Sequence, residues 1–213
     1  MPPVVLHGPA MSSYVWSARI ALAEKGVEHT LNDMPFGAHK LPDHLARHPF
    51  GKVPAFEHDG FALYETQAIV RYVDEAFAGP ALQPADARQR ARMNQVMGVL
   101  DSYGWPSCAG GIMFQRLIAP KMGLPTNEAA VEAALPMARI CYAEWERLLG
   151  DQPFMAGDAF SLADVMMAPM VIYSAMTPET RAMMAEAPRL YAWGKRMAER
   201  PSVARTSPLP PRA

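Results

Sequence analysis

Near residue 80 the spacing of the apolar residues changes, and that change limits the fold more than any single motif does. Before it, short apolar runs alternate with helical patterns. "VVLHG" (4–8) is a compact run ended by Gly8 and reads as a buried strand. "YVWSARIALAEKGV" follows, with an apolar face at Val15, Ala18, Ile20 and Leu22, and closes on Lys25 and Gly26, a cation and a C′ glycine at a helix end. "EHTLND" reads as a second strand. The stretch 35–50, with Pro35, Gly37, Pro42 and Pro49, reads as loop with at most one helical turn. "VPAFEHDGFALY" predicts a hairpin across Asp59-Gly60, and Ile69, Val70, Tyr72, Val73 and Phe77 then recur at helical spacing. Beyond the Pro/Gly stretch 78–87, the pattern predicts long helices over 86–118, 128–149, 161–175 and 188–199 and no clear strand. The expected architecture is an α/β unit over 1–79, ordered βαβ-ββα, followed by an all-helical unit over 87–213. The last residues, "TSPLPPRA", are too rich in proline to form a helix.

Composition removes several classes of function. A chain of 213 residues, half of them apolar, can bury a substantial core, and its formal charge of −1 gives no electrostatic case for nucleic acid or an anionic membrane. Cys108 and Cys141 stand far apart, and His7, His44, His48 and His58 lack ligand spacing, so neither a disulfide framework nor a metal site is expected. "MPPVVLHG" has no signal-peptide pattern and no apolar run is long enough to span a bilayer, so the expected location is the cytoplasm.

"FGKVPAF" (50–56) puts a proline at the start of an apolar strand, where it removes a ladder hydrogen bond. An edge strand or a turn accounts for it. So does a cis Val53–Pro54 bond that leaves the Val53 backbone facing a cleft, where it can pair with a peptide-like ligand as an added strand would. Eleven residues on, Glu65 and Thr66 sit where a helix begins. They read either as ordinary caps or as a site for an α-amino acid head, the carboxylate on Thr66 and the helix N–H groups and the amine on Glu65. Ser12 and Ser13, at the start of the first helix, are likewise either N-caps or hydroxyl donors to a thiolate. No cysteine lies in this region, so such a thiol has to come with the ligand. A second ligand carboxylate fits Lys52 or "AHK" (38–40).

"GAHKLPDHLARHPFGKVPAF" followed by "LYETQAIVRYV" resembles the cytosolic glutathione transferases, phi and theta-like in this middle stretch, and the resemblance runs from "VVLHG" to about residue 200. "SSYVWSARIAL" is similar to the zeta-class turn and to bacterial transferases, with Tyr14 where the zeta class has cysteine. The resemblance implies a thioredoxin-like first domain, a helical second domain, a homodimer, and glutathione as co-substrate. It implies Val53 and Pro54 at the cysteinyl part, Glu65 and Thr66 at the γ-glutamyl head, and His39, Lys40 and Lys52 near the glycine carboxylate. Ser12 is implied as the thiolate donor, with Ser13 beside it.

"SYGWPSCAGGIMF" (102–114) carries Tyr103, Trp105 and Phe114, which are either core or, by the same resemblance, the lining of an apolar second-substrate site. "SLAD" reads as a capping box of Ser161 and Asp164, structural and worth about 0.5–2 kcal/mol. The expected activity is conjugation of glutathione to small apolar electrophiles at the junction of the two units. Two alternatives remain: cis–trans isomerisation of the maleylacetoacetate type, which "SSYVW" favours, and a ligand-binding module without turnover.

Overall fold

The computed structural model describes residues 3–210, and the chain divides into two packed units. One holds the chain up to Gln83 and takes in the residues from Arg200; the other runs from Pro84 to Glu199.

The first unit follows the expected order. It contains β1 (Val4–His7), α1 (Ser13–Glu24), β2 (Thr30–Asn32), α2 (Pro42–Leu45), β3 (Ala55–His58), β4 (Phe61–Tyr64) and α3 (Thr66–Ala76). The sheet order is β2-β1-β3-β4, with β1 parallel to β2 and antiparallel to β3, and β3 antiparallel to β4. Asp59 and Gly60 both take positive φ, 50° and 76°, as the tight β3–β4 hairpin requires. Leu6 and Phe56 sit opposite each other in the β1–β3 register and are fully buried. So are Val15, Ala18 and Leu22 of α1 and Ile69, Val70 and Val73 of α3, which means the apolar faces read from spacing are the ones that close the core. The end of α1 is also as expected: the Gly26 N–H donates to the Ala23 carbonyl and the Val27 N–H to the Leu22 carbonyl.

Lys25 does more than end that helix. Its nearly buried ammonium pairs with Asp74 at 3.1 Å and donates to the Pro80 carbonyl at 3.0 Å. Asp74 also accepts from the Leu82 N–H at 2.8 Å and from Gln83 at 3.1 Å. A buried ion pair is tolerated when its remaining lone pairs and protons are satisfied, and here they fasten residues 80–83, within the Pro/Gly stretch 78–87, to α1 and α3.

The second unit contains α4 (Ala87–Val99), a helix over Leu100–Ile118, α5 (Glu128–Leu149), α6 (Leu162–Tyr173), α7 (Pro178–Ala185) and α8 (Pro188–Glu199). Two features depart from the expected pattern. The helix expected over 86–118 changes winding at Leu100 to the wider π form, and its last bond runs five residues back, from the Ala119 N–H to the Phe114 carbonyl. Apolar spacing cannot separate the two windings over a single helix. Gly104 on this helix lies against α5, where a Cβ would stand 2.4 Å from a ring carbon of Trp145. The second departure is at the C-terminus. After α8 the chain forms α9 (Pro201–Thr206), which packs on α1 in the first unit, so the helical unit ends at Glu199 and not at 213.

Asp164, wholly buried, ties the second unit together. Its carboxylate accepts from the Ser161 N–H and hydroxyl at 2.9 Å, the Met155 N–H at 2.8 Å and Trp193 Nε1 at 3.2 Å. Burial pushes its pKa up to about 6 in spite of these four donors. The capping box is present, with two further partners that a local reading cannot see. Asp164→Ala therefore leaves buried donors unpaired, and its urea midpoint should report a loss of about 2–4 kcal/mol, more than an ordinary cap.

Candidate functional site

Three chain segments meet at one end of the sheet in the first unit. Gly8 ends β1 at φ 150°, and a Cβ there would stand 2.6 Å from Val15 Cγ2 and 3.1 Å from Val53 Cβ. Only hydrogen fits, so the start of α1 and the Val53–Pro54 loop both close onto the end of β1. The loop between β1 and α1 is held by the Ala10 N–H donating to Asp33 Oδ1 at 2.9 Å and the Ser12 N–H donating to the Pro9 carbonyl at 2.9 Å. Asp33 was not singled out in the sequence; its place at the end of "EHTLND" was the available signal.

Ser12 is the N-cap of α1, and its oxygen accepts from the Val15 N–H at 3.4 Å. That is the long end of a hydrogen bond, and accepting it leaves the hydroxyl hydrogen to donate elsewhere. Ser13 is the first helical residue, half-buried, and its carbonyl accepts from the Ser17 hydroxyl at 3.1 Å.

The Val53–Pro54 bond is cis. Ladder pairing of β3 with β1 begins at Ala55, and among the described residues the backbone hydrogen bonds outside the ladders and helices do not use Val53. The residue before it is pinned: His44, buried on α2, makes a 2.7 Å hydrogen bond through Nε2 to the Lys52 carbonyl. His48, also buried, accepts the Gly51 N–H at its carbonyl and packs its ring 4.7 Å from that of Tyr64. These two histidines, without metal-ligand spacing in the sequence, hold the loop from beneath.

His39 and Lys40 lie on a single 3-10 turn, Ala38–Lys40. A Cβ on Gly51 would stand 3.1 Å from Lys40 Nζ, so the Lys40 side chain reaches across to the 51–53 loop. Partial burial lowers the His39 pKa, and the charges of Lys40, His44 and Lys52 lower it further. Burial lowers that of His48 too, with His44, Lys52 and Lys40 adding to it. Both rings are thus biased toward the neutral imidazole relative to a free histidine, with Lys40 and Lys52 among the cations beside them.

Glu65 is the N-cap of α3 by position, yet its side chain makes no cap hydrogen bond. The carboxylate is exposed, and its backbone is held at φ 71°, ψ 113°. A non-glycine residue in such a conformation costs on the order of 1–3 kcal/mol and persists where the surroundings impose it. Thr66, buried, follows at the first helical position. The ordinary capping alternative for Glu65 is thus absent, and the first-turn N–H groups of α3 lack a carboxylate from their own chain at that cap.

Tyr103, Trp105 and Phe114 all belong to the wide helix of the second unit. Tyr103 is exposed and the other two are half-buried, so none is a fully buried core residue. Cys108 and Cys141 are free and buried, and both sulfurs lie within hydrogen-bond reach of the Ser107 hydroxyl, at 3.7 and 4.0 Å. Among the described residues no cluster of three or more His, Cys, Asp or Glu side chains could hold a metal, and no helix is long and apolar enough to cross a membrane.

A family model described as the glutathione S-transferase N-terminal domain matches residues 2–75, and one described as the C-terminal domain matches residues 128–196. A probable glutathione S-transferase of Oryza sativa subsp. japonica is 31% identical over 209 residues, covering 95% of this chain and 94% of that protein. The chain belongs to the glutathione S-transferase family. Two solved transferases are also similar to it. Glutathione transferase F7 from Populus trichocarpa superimposes with a TM-score of 0.84 at 28% identity, covering 97% of this chain and 100% of that one. Glutathione S-transferase I from maize, solved with an atrazine glutathione conjugate, gives 0.82 at 28% identity and covers 96% of each chain. The thioredoxin-like first domain followed by a helical one is the fold of these transferases. These matches are plant proteins, so the bacterial and zeta-like character read from the turn at Ser12 draws no support from them.

The backbone at Glu65 makes a separable prediction. Glu65→Gly relieves the positive φ and should unfold at the same or a higher temperature than the parent, by up to about 1 kcal/mol, whereas Glu65→Ala keeps the strained backbone and should gain nothing. Thermal denaturation of the three proteins checks it.

Proposed function

We propose that this protein is a glutathione transferase that binds glutathione on its first unit, stabilises the thiolate and transfers it to small apolar electrophiles. The observation that carries the reading is Glu65: a carboxylate uncommitted to its own helix, on a strained backbone, beside the buried Thr66 at a helix start. An α-amino acid head meets both halves of that arrangement. Its ammonium pairs with Glu65, and its carboxylate takes the Thr66 hydroxyl and the first N–H groups of α3.

The remaining contacts follow from the ligand's length. The cysteinyl part lies along Val53, whose backbone N–H and carbonyl pair with it as a strand neighbour would. The glycine carboxylate reaches the rim of His39, Lys40 and Lys52. The sulfur then faces the start of α1, where the Ser12 hydroxyl and the helix terminus meet it, with Ser13 adjacent.

A free thiol with pKa about 8.5 is only a few per cent ionised at pH 7, and lowering it by about two units takes roughly 2.7 kcal/mol of differential stabilisation. One hydroxyl donor together with a helix N-terminus is of that order. The thiolate forms a bond to the electrophilic carbon, the leaving group departs with the displaced electron pair, and the enzyme is unchanged. Tyr103, Trp105 and Phe114 supply apolar surface for the second substrate. The maize relative solved with a conjugate of atrazine supports an aromatic or chlorinated electrophile in this role. A twofold homodimer in the cytoplasm is proposed with it, and light scattering at micromolar concentration should give twice the chain mass.

Two variants separate binding from chemistry. Glu65→Gln should weaken glutathione at least tenfold by calorimetry, about 1.4 kcal/mol, with little change in the thiol's titration. Ser12→Ala should hold its affinity within about threefold and lose tenfold or more in kcat/KM at neutral pH, with the loss closing as the pH rises and the thiol ionises unaided. Ser13→Ala and Tyr14→Phe are the controls; a shift in either with none in Ser12→Ala moves the donor to that neighbour. Millimolar glutathione should raise the parent's Tm, and no rise would overturn the reading.

A further inference from the structure

We infer that Trp16 and Thr206 form a positioning pair for the start of α1, so that the short C-terminal helix α9 helps to set the Ser12 hydroxyl; this rests on the function proposed above. Trp16 lies four residues after Ser12, and its backbone N–H donates to the Ser12 carbonyl at 2.9 Å. Its indole is buried, and Nε1–H donates to Thr206 Oγ1 at 3.0 Å, across 190 positions in the chain. The Thr206 hydroxyl hydrogen is committed in turn to the Ser202 carbonyl at 2.7 Å, which turns its oxygen toward the indole as an acceptor of fixed direction. Two hydrogen bonds thus tie the backbone of α9 to the Trp16 indole, and the Trp16 backbone N–H ties the same residue to the Ser12 carbonyl.

The opposite end of α1 is tied to the same segment. Arg200 forms a two-pronged pair with Glu24 at 2.7 and 2.8 Å, the Ser202 hydroxyl donates to that carboxylate, and Arg205 donates to the Ala23 carbonyl. Burial pushes the Glu24 carboxyl up, but the bonds from Arg200 and Ser202 outweigh it and leave the pKa below its ordinary value. A helix held at one end can still tilt about that end. Held at both, it keeps its N-terminus in place. This matters because a donor aimed at a developing or bound charge loses its effect within a fraction of an ångström. Neither contact touches glutathione in the proposed mode, so both act through α1 alone. The tryptophan in "SSYVW" belongs to a segment read for its serines, and its partner lies in a stretch expected to belong to the helical unit.

The test uses the full chain with glutathione bound, following the ultraviolet absorbance of the thiolate against pH and the pH profile of kcat/KM for a chlorinated aromatic electrophile. Thr206→Val keeps the shape and removes the acceptor; Trp16→Phe keeps a ring and removes the donor; Thr206→Ser keeps the bond. Thr206→Val and Trp16→Phe should each raise the thiol's pKa by about half a unit, cutting the neutral-pH kcat/KM about threefold with the loss closing at high pH. Glutathione affinity should change less than about twofold, because the tripeptide is anchored elsewhere. Thr206→Ser should titrate like the parent, and the double variant should shift no further than either single one. Tyr72→Phe, which removes a 2.8 Å bond to His58 in the same unit, should leave the titration unmoved. The inference fails if the parent depresses the thiol pKa while Thr206→Val and Trp16→Phe titrate like it, or if Tyr72→Phe shifts it as far. If Thr206→Val does not fold, Trp16→Phe decides alone. A parent that leaves the thiol at its free value overturns the proposed function instead.

Discussion

The candidate site depends on a hydrogen atom where any other residue would carry carbon. Gly8 has Val15 on one side and Val53 on the other, and a methyl group would overlap the first at 2.6 Å. Interiors are packed densely enough that an added methyl there has to displace the start of α1, the 51–54 loop, or both. Those are the segments that carry Ser12 and Val53. The sheet thus does more than provide a core: its first strand ends at the point where two loops of opposite chemistry, one with hydroxyls and one with bare backbone, come into contact.

Charge is handled differently in the core and at the site. In the core each ion is surrounded by partners: Lys25 and Asp74 with the 80–83 backbone, Asp164 with its four donors, Glu24 with Arg200 and Ser202. At the site the polar groups are left with capacity to spare. The Ser12 hydroxyl oxygen accepts one long hydrogen bond, and the Glu65 side chain makes no cap bond. Fully paired charges make rigid joints, and underused polar groups beside them make a surface that a ligand can complete. The strained φ of Glu65 belongs to the same logic, since a relaxed cap would turn the carboxylate back onto its own helix.

Much of this was readable from the residues. Short apolar runs and helical spacing placed the strands and helices of the first unit, because buried residues of β1 and β3 and one face of α1 and α3 meet the same core. The hairpin at Asp59-Gly60 and the glycine close at Gly26 were readable for the same local reason. The wide winding after Leu100 was not, since apolar spacing over one helix does not separate the α and π forms, and neither was the close approach of α5 at Gly104. Nor were the roles of His44, Asp33 and Lys25, each of which acts on a carbonyl, an N–H or a carboxylate distant in the sequence. Short apolar pieces such as 178–185 and 201–206 were missed because one or two helical turns carry too few residues for a period to stand out.

The sequence by itself determined the class of chain: an α/β unit with a proline at a strand start and an acidic residue at a helix start, then helices, with motifs specific enough to mark the glutathione transferases. Those properties are local. Dihedral preference, apolar period and turn chemistry act over a few residues, so they can be read in order. The tertiary structure alone decided which end of the sheet gathers the candidate residues, that Glu65 does not cap, that the pKa values of His39 and His48 are lowered by burial and neighbouring charge, and that helix α9 returns to α1. Each of these depends on a distance between groups far apart in the chain, set by packing at places such as Gly8 where the available volume leaves one arrangement.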